Sequence, residues 1–367
     1  MIRIRDPLHG TIQLSELEGK LLDSRHMQRL RGIRQLAMAY LVYPGANHTR
    51  FEHSIGTLYL ADKICRELGM GKDKASQVRA AALLHDVGHT AYSHEAESVL
   101  KRFIGTHEET GREMMAKGEL ADILSEQFSP RKIASLAGEP LGGIITSDVG
   151  ADRMDYLLRD SHYTGVAYGV IDSDRVCSTV AIDPKGLYIT ERGLPAAESL
   201  LVARFTMFST VYLHKTVRIA SRMLQESISL ALSDGTLEAA DALCMADAAM
   251  LQTLSRSPAG GGFARRLAER RLFKKAHSIP LSEMKVGPAA AERLLADKCG
   301  CPVLIDIPKL SLSAHVRLER KGRKVPLSEK SEIIASLQRM QKSRLDALVI
   351  CEEKCVGKVS AAAKRLL

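Results

Sequence analysis

Leu84-His85-Asp86-Val87-Gly88-His89 closes a helical pattern in which Val78, Ala81, Ala82 and Leu84 recur at helical spacing, with Gly88 as the expected terminator. An imidazole and a carboxylate side by side at a helix end suit a borderline divalent cation. Working outward, two further segments offer the same donor types. Arg50-Phe51-Glu52-His53-Ser54 opens a helix upstream, and Asp152 lies in Ala151-Asp152-Arg153-Met154-Asp155-Tyr156. A lone His-Asp doublet arises often by chance, but three separate segments carrying this chemistry point to a metal site built from His53, His85, Asp86 and Asp152. Such a site leaves positions for water and phosphate oxygens, which a metal polarises and activates.

The surroundings read as helix after helix from residue 12 to about 165. Leu58, Ala61, Ile64, Cys65 and Leu68 define one helix, Gly69 to Gly71 separate it from the next, and Ser129-Pro130 marks a helix start. The period then changes. Thr179–Ile182 and Leu187–Thr190 flank the turn-forming Asp183-Pro184-Lys185-Gly186 and predict a short β-hairpin. Glu198 to about Leu232 reads as one long helix. Ser255 to Phe263, with Pro258 and Gly260-Gly261-Gly262, is the most linker-like stretch. Beyond it, strand signals at 271–279, 303–307, 314–319 and 347–351 alternate with helical ones at 288–297, 328–344 and 359–366. The expected architecture is mainly α: a helical domain over residues 1–255 carrying the hairpin, and a smaller α+β C-terminal domain over 265–367.

Composition narrows the class. The 367 residues are 45% hydrophobic and lack Trp, so aliphatic side chains supply most of the packing. No apolar run is long enough for a membrane span, and the first residues lack a signal-peptide pattern, so we expect a cytoplasmic protein. Seven irregularly spaced cysteines make a poor disulfide framework. Cys299-x-Cys301 and Cys351-x3-Cys355 match no common zinc spacing and read as reduced thiols. The net charge of +9, concentrated after Arg265, calls for an anionic partner, either nucleotide phosphates or nucleic acid.

Several segments together carry a family resemblance. They are Asp6-Pro7-Leu8-His9-Gly10, Gln28-Arg29-Leu30-Arg31, Tyr43-Pro44-Gly45-Ala46 with Arg50 to Ser54, His85 to His89 with Ser93-His94, Asp152 to Asp160, and Tyr212-Leu213-His214-Lys215. In unbroken order over roughly residues 1 to 230 they resemble the HD superfamily of phosphohydrolases, and within it the deoxynucleoside triphosphate triphosphohydrolase branch. No sterile-alpha-motif domain, which animal members of that branch carry, is expected here. The resemblance implies an HD-type helical domain, a divalent metal (Fe, Mn, Zn, Ni or Mg) and hydrolysis of dNTPs to deoxynucleoside and triphosphate. It assigns His53, His85, Asp86 and Asp152 as metal ligands and His89, His94 and His107 to the reacting α-phosphate. His94 is the candidate acid for the leaving 5′ oxygen, and Glu97, one helical turn on, orients it. Arg50, Arg153 and Arg204 match triphosphate-gripping positions. Gln35, Leu36, Tyr156, Asp160 and Tyr212 match the sugar pocket, with Leu36 and Tyr212 crowding out a 2′-hydroxyl. Asp23, Gln28 and Arg31 match a guanine-nucleotide activator site between subunits of a homo-oligomer, a dimer or tetramer.

The chain also departs from the pattern. Leu213 replaces a glutamine near the base, Thr90-Ala91-Tyr92 replaces Gly-Pro-Phe, and Ile2 and Ala196 replace a lysine and an asparagine at the activator pockets. Two other readings compete. One is an HD nucleotidase or phosphodiesterase acting on another nucleotide. The other is a nucleic-acid-binding regulatory HD protein, supported by the basic C-terminal half.

Overall fold

Ahead of the first helix the chain folds into a hairpin, β1 (Ile2–Asp6) and β2 (Gly10–Leu14), registered from Ile2↔Leu14 to Asp6↔Gly10. Asp6 writes its turn by accepting the backbone N–H groups of Leu8 and His9, each at 2.9 Å, and Gly10 supplies a φ of +72°. The sequence reading passed over this hairpin. The computed structural model describes residues 2–308, 315–343 and 346–366. Arg344, expected in a helix, and Ala314, expected in a strand, lie outside them.

Helices dominate the part that follows. Capping boxes start the Glu16–Asp23 helix at Ser15 and the His107–Ala116 helix at Thr106. The Arg50–Glu67 and Lys72–Leu84 helices form an antiparallel pair across the Gly69 turn. The Arg50–Glu67 helix is buried on almost every side, and the Ala151–Thr164 helix crosses it at Gly56, where a Cβ would overlap the Asp155 carboxylate.

The hairpin predicted after residue 179 is present as β3 (Val180–Asp183) and β4 (Gly186–Ile189). The single long helix is not. It is broken into Leu194–Met207, a wide π-turn at Phe208–Tyr212, and Lys215–Ser233. No Pro or Gly announces the break. The His214 imidazole accepts the Thr216 N–H at 3.2 Å as a cap, and the Tyr43 hydroxyl donates to the Thr210 carbonyl at 2.9 Å.

Ser255 to Phe263 is a tight corner between the Asp247–Arg256 and Gly261–Ala268 helices, not a loose linker. Ser257 and Gly260 are buried there, and Ser227 donates to the Gly260 carbonyl at 2.9 Å. Among the described residues five more strands follow: β5 (Lys274–Pro280), β6 (Val303–Asp306), β7 (Arg317–Arg320), β8 (Arg323–Pro326) and β9 (Asp346–Cys351). The antiparallel sheet β5-β9-β6 packs against the Pro288–Cys299 and Val356–Leu366 helices around its own core, which includes Ile279, Leu295, Val303 and Val359. Cys299, Cys301, Cys351 and Cys355 share this cluster; all seven cysteines of the chain are free thiols. β7 and β8 instead return to the helical part, giving the sheet β3-β4-β7-β8 with a parallel contact at Ile189↔Leu318.

Two larger cores lie beneath the site. One gathers the helices around Phe51, Leu58, Leu84, Met154 and Leu200. The other packs Tyr92, Ala96 and Leu100 against Ile219, Met223, Met250 and Phe273, so the segment bearing His94 rests on residues far downstream. Among the described residues no helix is long and apolar enough to cross a membrane.

Candidate metal centre

His53 lies in the first turn of the Arg50–Glu67 helix, His85 and Asp86 just past the end of the Lys72–Leu84 helix, and Asp152 in the first turn of the Ala151–Thr164 helix. Three helix ends therefore converge on one point. His53 Nε2 is 3.0 Å from Asp152 Oδ1 and 3.8 Å from Asp86 Oδ2. His85 Nε2 is 3.3 Å from Asp86 and 3.7 Å from Asp152. Single donor atoms of His53, His85 and Asp152 all lie within 4.8 Å of one another.

Both imidazoles are oriented from behind. His53 Nδ1 pairs with Asp155 Oδ2 at 2.8 Å, and His85 Nδ1 with the Ala82 carbonyl at 2.8 Å. The Nε2 atoms are left to face the carboxylates, and that of His85 is buried with no hydrogen-bond partner. A buried nitrogen without a partner costs free energy unless something binds it. This donor set fits a divalent cation. Burial disfavours a charged His53, but its bonds to Asp152 and Asp155 outweigh that and lift it to about 10. Asp86 is held well below the usual range, since Arg50 overrides the effect of burial. Arg50 Nη1 meets its Oδ2 at 2.5 Å.

Asp155 itself is fully buried and saturated. Besides His53 it takes His9 Nε2 at 2.6 Å and the Arg159 guanidinium at 2.9 and 3.0 Å, and Arg159 reaches Asp6 at 3.0 Å. The N-terminal hairpin thus braces the metal ligands through its turn. The sequence reading quoted Asp6, His9, Asp155 and Arg159 within motifs but gave them no role. The shared carboxylate becomes visible only when residues 146 positions apart are brought together.

The other histidines form a second group. His89 and His107 stack with ring centres 3.9 Å apart, and His94 stands edge-on to both at 4.8 and 5.1 Å. Glu97 serves two of them, with Oε2 at 2.7 Å from His107 Nδ1 and 3.5 Å from His94 Nδ1. Burial raises the Glu97 carboxyl, but His107 and then His94 bring it below the ordinary range. His89, buried and near Arg50, is pushed well below the usual imidazole value and stays neutral. Its Nε2 lies 3.4 Å from Asp86 Oδ1, which links the two groups. Gly88 does not end the helix through a positive φ. It permits close approach, because a Cβ there would overlap the His107 carbonyl and the Gly111 backbone. Tyr92 and Ser93, just before His94, have φ of 59° and 52°, a left-handed conformation that costs non-glycine residues about 1–3 kcal/mol each.

The phosphate and sugar candidates surround these groups. Asp148 binds Arg204 at 2.9 Å and Arg153 at 3.1 Å through one oxygen, and the His315 N–H at 2.6 Å through the other. Asp160 accepts the Tyr212 hydroxyl at 2.5 Å and pairs with His48 at 2.8 Å. Burial and the Asp160 charge push the Tyr212 hydroxyl well up. Gln35 Oε1 is buried without a partner, and Leu36, Tyr156 and Tyr212 pack on the main core. Asp148 and His48 are further residues the sequence reading missed, and neither stands in a motif that would have flagged it. Elsewhere Arg31 donates to Gln28 at 2.9 Å and lies 3.6 Å over the Phe51 ring, while Asp23 is exposed.

With this geometry in view, residues 50–160 match the HD domain and residues 171–367 the HD associated region. The chain belongs to the HD family of phosphohydrolases. An uncharacterised relative from Methanocaldococcus jannaschii is 40% identical over 277 residues, 74% of this chain and 58% of its own length. A deoxynucleoside triphosphate triphosphohydrolase of Bos taurus is 29% identical over 279 residues, 61% of this chain and 46% of its own. A hypothetical protein from Aquifex aeolicus matches with a TM-score of 0.84 at 30% identity over 99% of both chains. A phosphohydrolase from Bacteroides thetaiotaomicron shares the fold, with a TM-score of 0.79 at 24% identity over 96% of this HD chain and 100% of its own. The chain spans a little over half the length of the first curated relatives it matches.

Proposed function

We propose that this HD protein hydrolyses deoxynucleoside triphosphates to deoxynucleoside and inorganic triphosphate, with a divalent metal at His53, His85, Asp86 and Asp152. The observation that carries this is the arginine arrangement. Asp148 gathers Arg153 and Arg204, and Arg50 pairs with the candidate ligand Asp86. Three fixed guanidiniums around one ligand set suit a long phosphate chain better than a monophosphate. The bound metal supplies Lewis-acid polarisation of a phosphoryl oxygen and a more acidic water. Water attacks the α-phosphorus, the bond to the 5′ oxygen breaks, and His94 delivers a proton to that oxygen. Glu97, on His94 Nδ1, keeps the Nε2 side of the ring for that transfer. The Tyr212–Asp160 pair and Leu36 shape the sugar pocket.

Incubation with each dNTP and Mn²⁺, Fe²⁺ or Mg²⁺, followed by chromatography, should give triphosphate in one step. It should also show faster turnover of dGTP than GTP. Stepwise orthophosphate release, or cleavage of another nucleotide ester, would favour a nucleotidase or phosphodiesterase. Part of the basic C-terminal charge is engaged, for example Arg266 with Glu352 and both Arg317 and Lys324 with Asp183.

A guanine-nucleotide activator site is favoured by one observation. Arg31 is paired with Gln28 and not with Asp23, so the exposed Asp23 carboxylate keeps its acceptors for an N1–H and N2–H pair. GTP or dGTP should then raise both the oligomer fraction and the initial rate on a second dNTP. Asp23→Ala should remove that response and keep the metal. Sedimentation and rate curves flat in guanine nucleotide would leave a constitutive enzyme.

A further inference from the structure

Met245-Ala246-Asp247, in the HD associated region, touches both walls of the active site. The Asp247 carboxylate is buried and divided between them. Oδ1 accepts the Tyr92 N–H at 2.8 Å, and Oδ2 accepts the Arg34 N–H at 3.1 Å with the Arg34 guanidinium at 3.5 Å. Tyr92 is the first of the two left-handed residues leading into His94, and Arg34 precedes Gln35 and Leu36. The two flanking residues reinforce the contact. The Met245 carbonyl accepts Arg29 at 3.3 Å, and the same guanidinium donates to the carbonyls of Val87 at 3.0 Å and His89 at 2.8 Å. Ala246 sits so close to Gly32 that a Cβ on Gly32 would lie 2.6 Å from its own.

We infer that Asp247 is a positioning residue, holding the strained Tyr92–His94 turn and the Arg34–Leu36 wall in their working places from the associated region. A carboxylate is needed because two N–H donors face it from opposite sides and each requires an acceptor. An amide offers one acceptor and turns its own N–H₂ toward the other donor. Without Asp247 the Tyr92 N–H is buried and unpaired, and the left-handed pair loses the bond that fixes it. The kinetic consequence rests on the reading of His94 as the proton donor; the structural consequence does not.

The test uses the metal-loaded full chain with Asp247→Asn, which is nearly isosteric, and Gly32→Ala, which pries the same contact apart while leaving the carboxylate intact. In both, amide exchange over residues 88–94 should rise roughly tenfold or more, with the Arg50–Glu67 helix unchanged and metal content full. On a dNTP, kcat should fall roughly 10–100-fold while KM stays within about threefold, the scale set by a misplaced catalytic group. Unchanged exchange over 88–94 would overturn the inference, and so would an unchanged kcat in an active enzyme. Loss of protection spread over the whole protein, or loss of metal, would mark Asp247 as merely structural and overturn it equally. A wild-type enzyme inert toward every dNTP would sink the proposed function, and the exchange measurement would still decide the role of Asp247.

Discussion

The two histidine groups of the site are built in opposite ways. His53 and His85 each have Nδ1 anchored, to Asp155 and to the Ala82 carbonyl, and both rings are almost wholly enclosed. His89, His94 and His107 lean on one another, with Glu97 shared by His94 and His107 and the His94 side chain 64% exposed. Anchored imidazoles suit fixed coordination, where a small displacement weakens every bond to the cation. Imidazoles that share a carboxylate and reach solvent suit proton transfer. The same residue type is thus held in two ways, set apart by what stands behind each ring.

Removing a ligand should have the largest effect. Asp86→Ala or His85→Ala is expected to abolish bound metal and turnover with the helical circular dichroism preserved; full metal content by elemental analysis in both would break the contrast. Next comes His94→Ala, expected to lower kcat by roughly 10²-fold or more with metal retained. Metal loss in that variant would mean the two groups are one.

His9→Ala sharpens the comparison from behind. It removes one donor from Asp155 and should weaken metal binding by about 10–100-fold while leaving kcat at saturating metal near the wild-type value. Isothermal titration with Mn²⁺ against turnover separates those two readouts. The smallest effect concerns pH. The Glu97 carboxyl is depressed in the folded protein, so it contributes stability above its unfolded pKa of about 4.3 and loses it as pH falls further. Denaturant unfolding between pH 7 and 3 should therefore decline more steeply below about pH 4–5 in the wild type than in Glu97→Gln. Parallel curves would mean that the His107 and His94 contacts do not hold the charge.

Much of this was legible in the chain itself. The three segments that converge on the candidate metal centre could be picked out by their His and Asp donors, two of them placed at expected helix ends. The β3–β4 hairpin was equally plain, since Asp183-Pro184-Lys185-Gly186 is a turn by its own chemistry. What escaped was non-local. The break at Phe208–Tyr212 depends on a donor from Tyr43, and Ser255–Phe263 looked like a linker because its glycines signal flexibility where Gly260 and Gly261 serve close packing. Asp155 and Asp247 are single acids whose partners lie 146 and 155 residues away, and no period or spacing marks them.

The parallel contact between Ile189 on β4 and Leu318 on β7 has a consequence for how the molecule is made. It closes a loop of well over a hundred residues, a costly long-range step that raises contact order and slows folding. During synthesis the β3–β4 hairpin must wait with one edge open until the ribosome has delivered β7, and an open edge invites pairing with a wrong strand. Asp148 waits as well, because its third donor comes from His315. The Asp148–arginine cluster is therefore among the last pieces to be finished on a nascent chain, long after the candidate metal ligands have been translated.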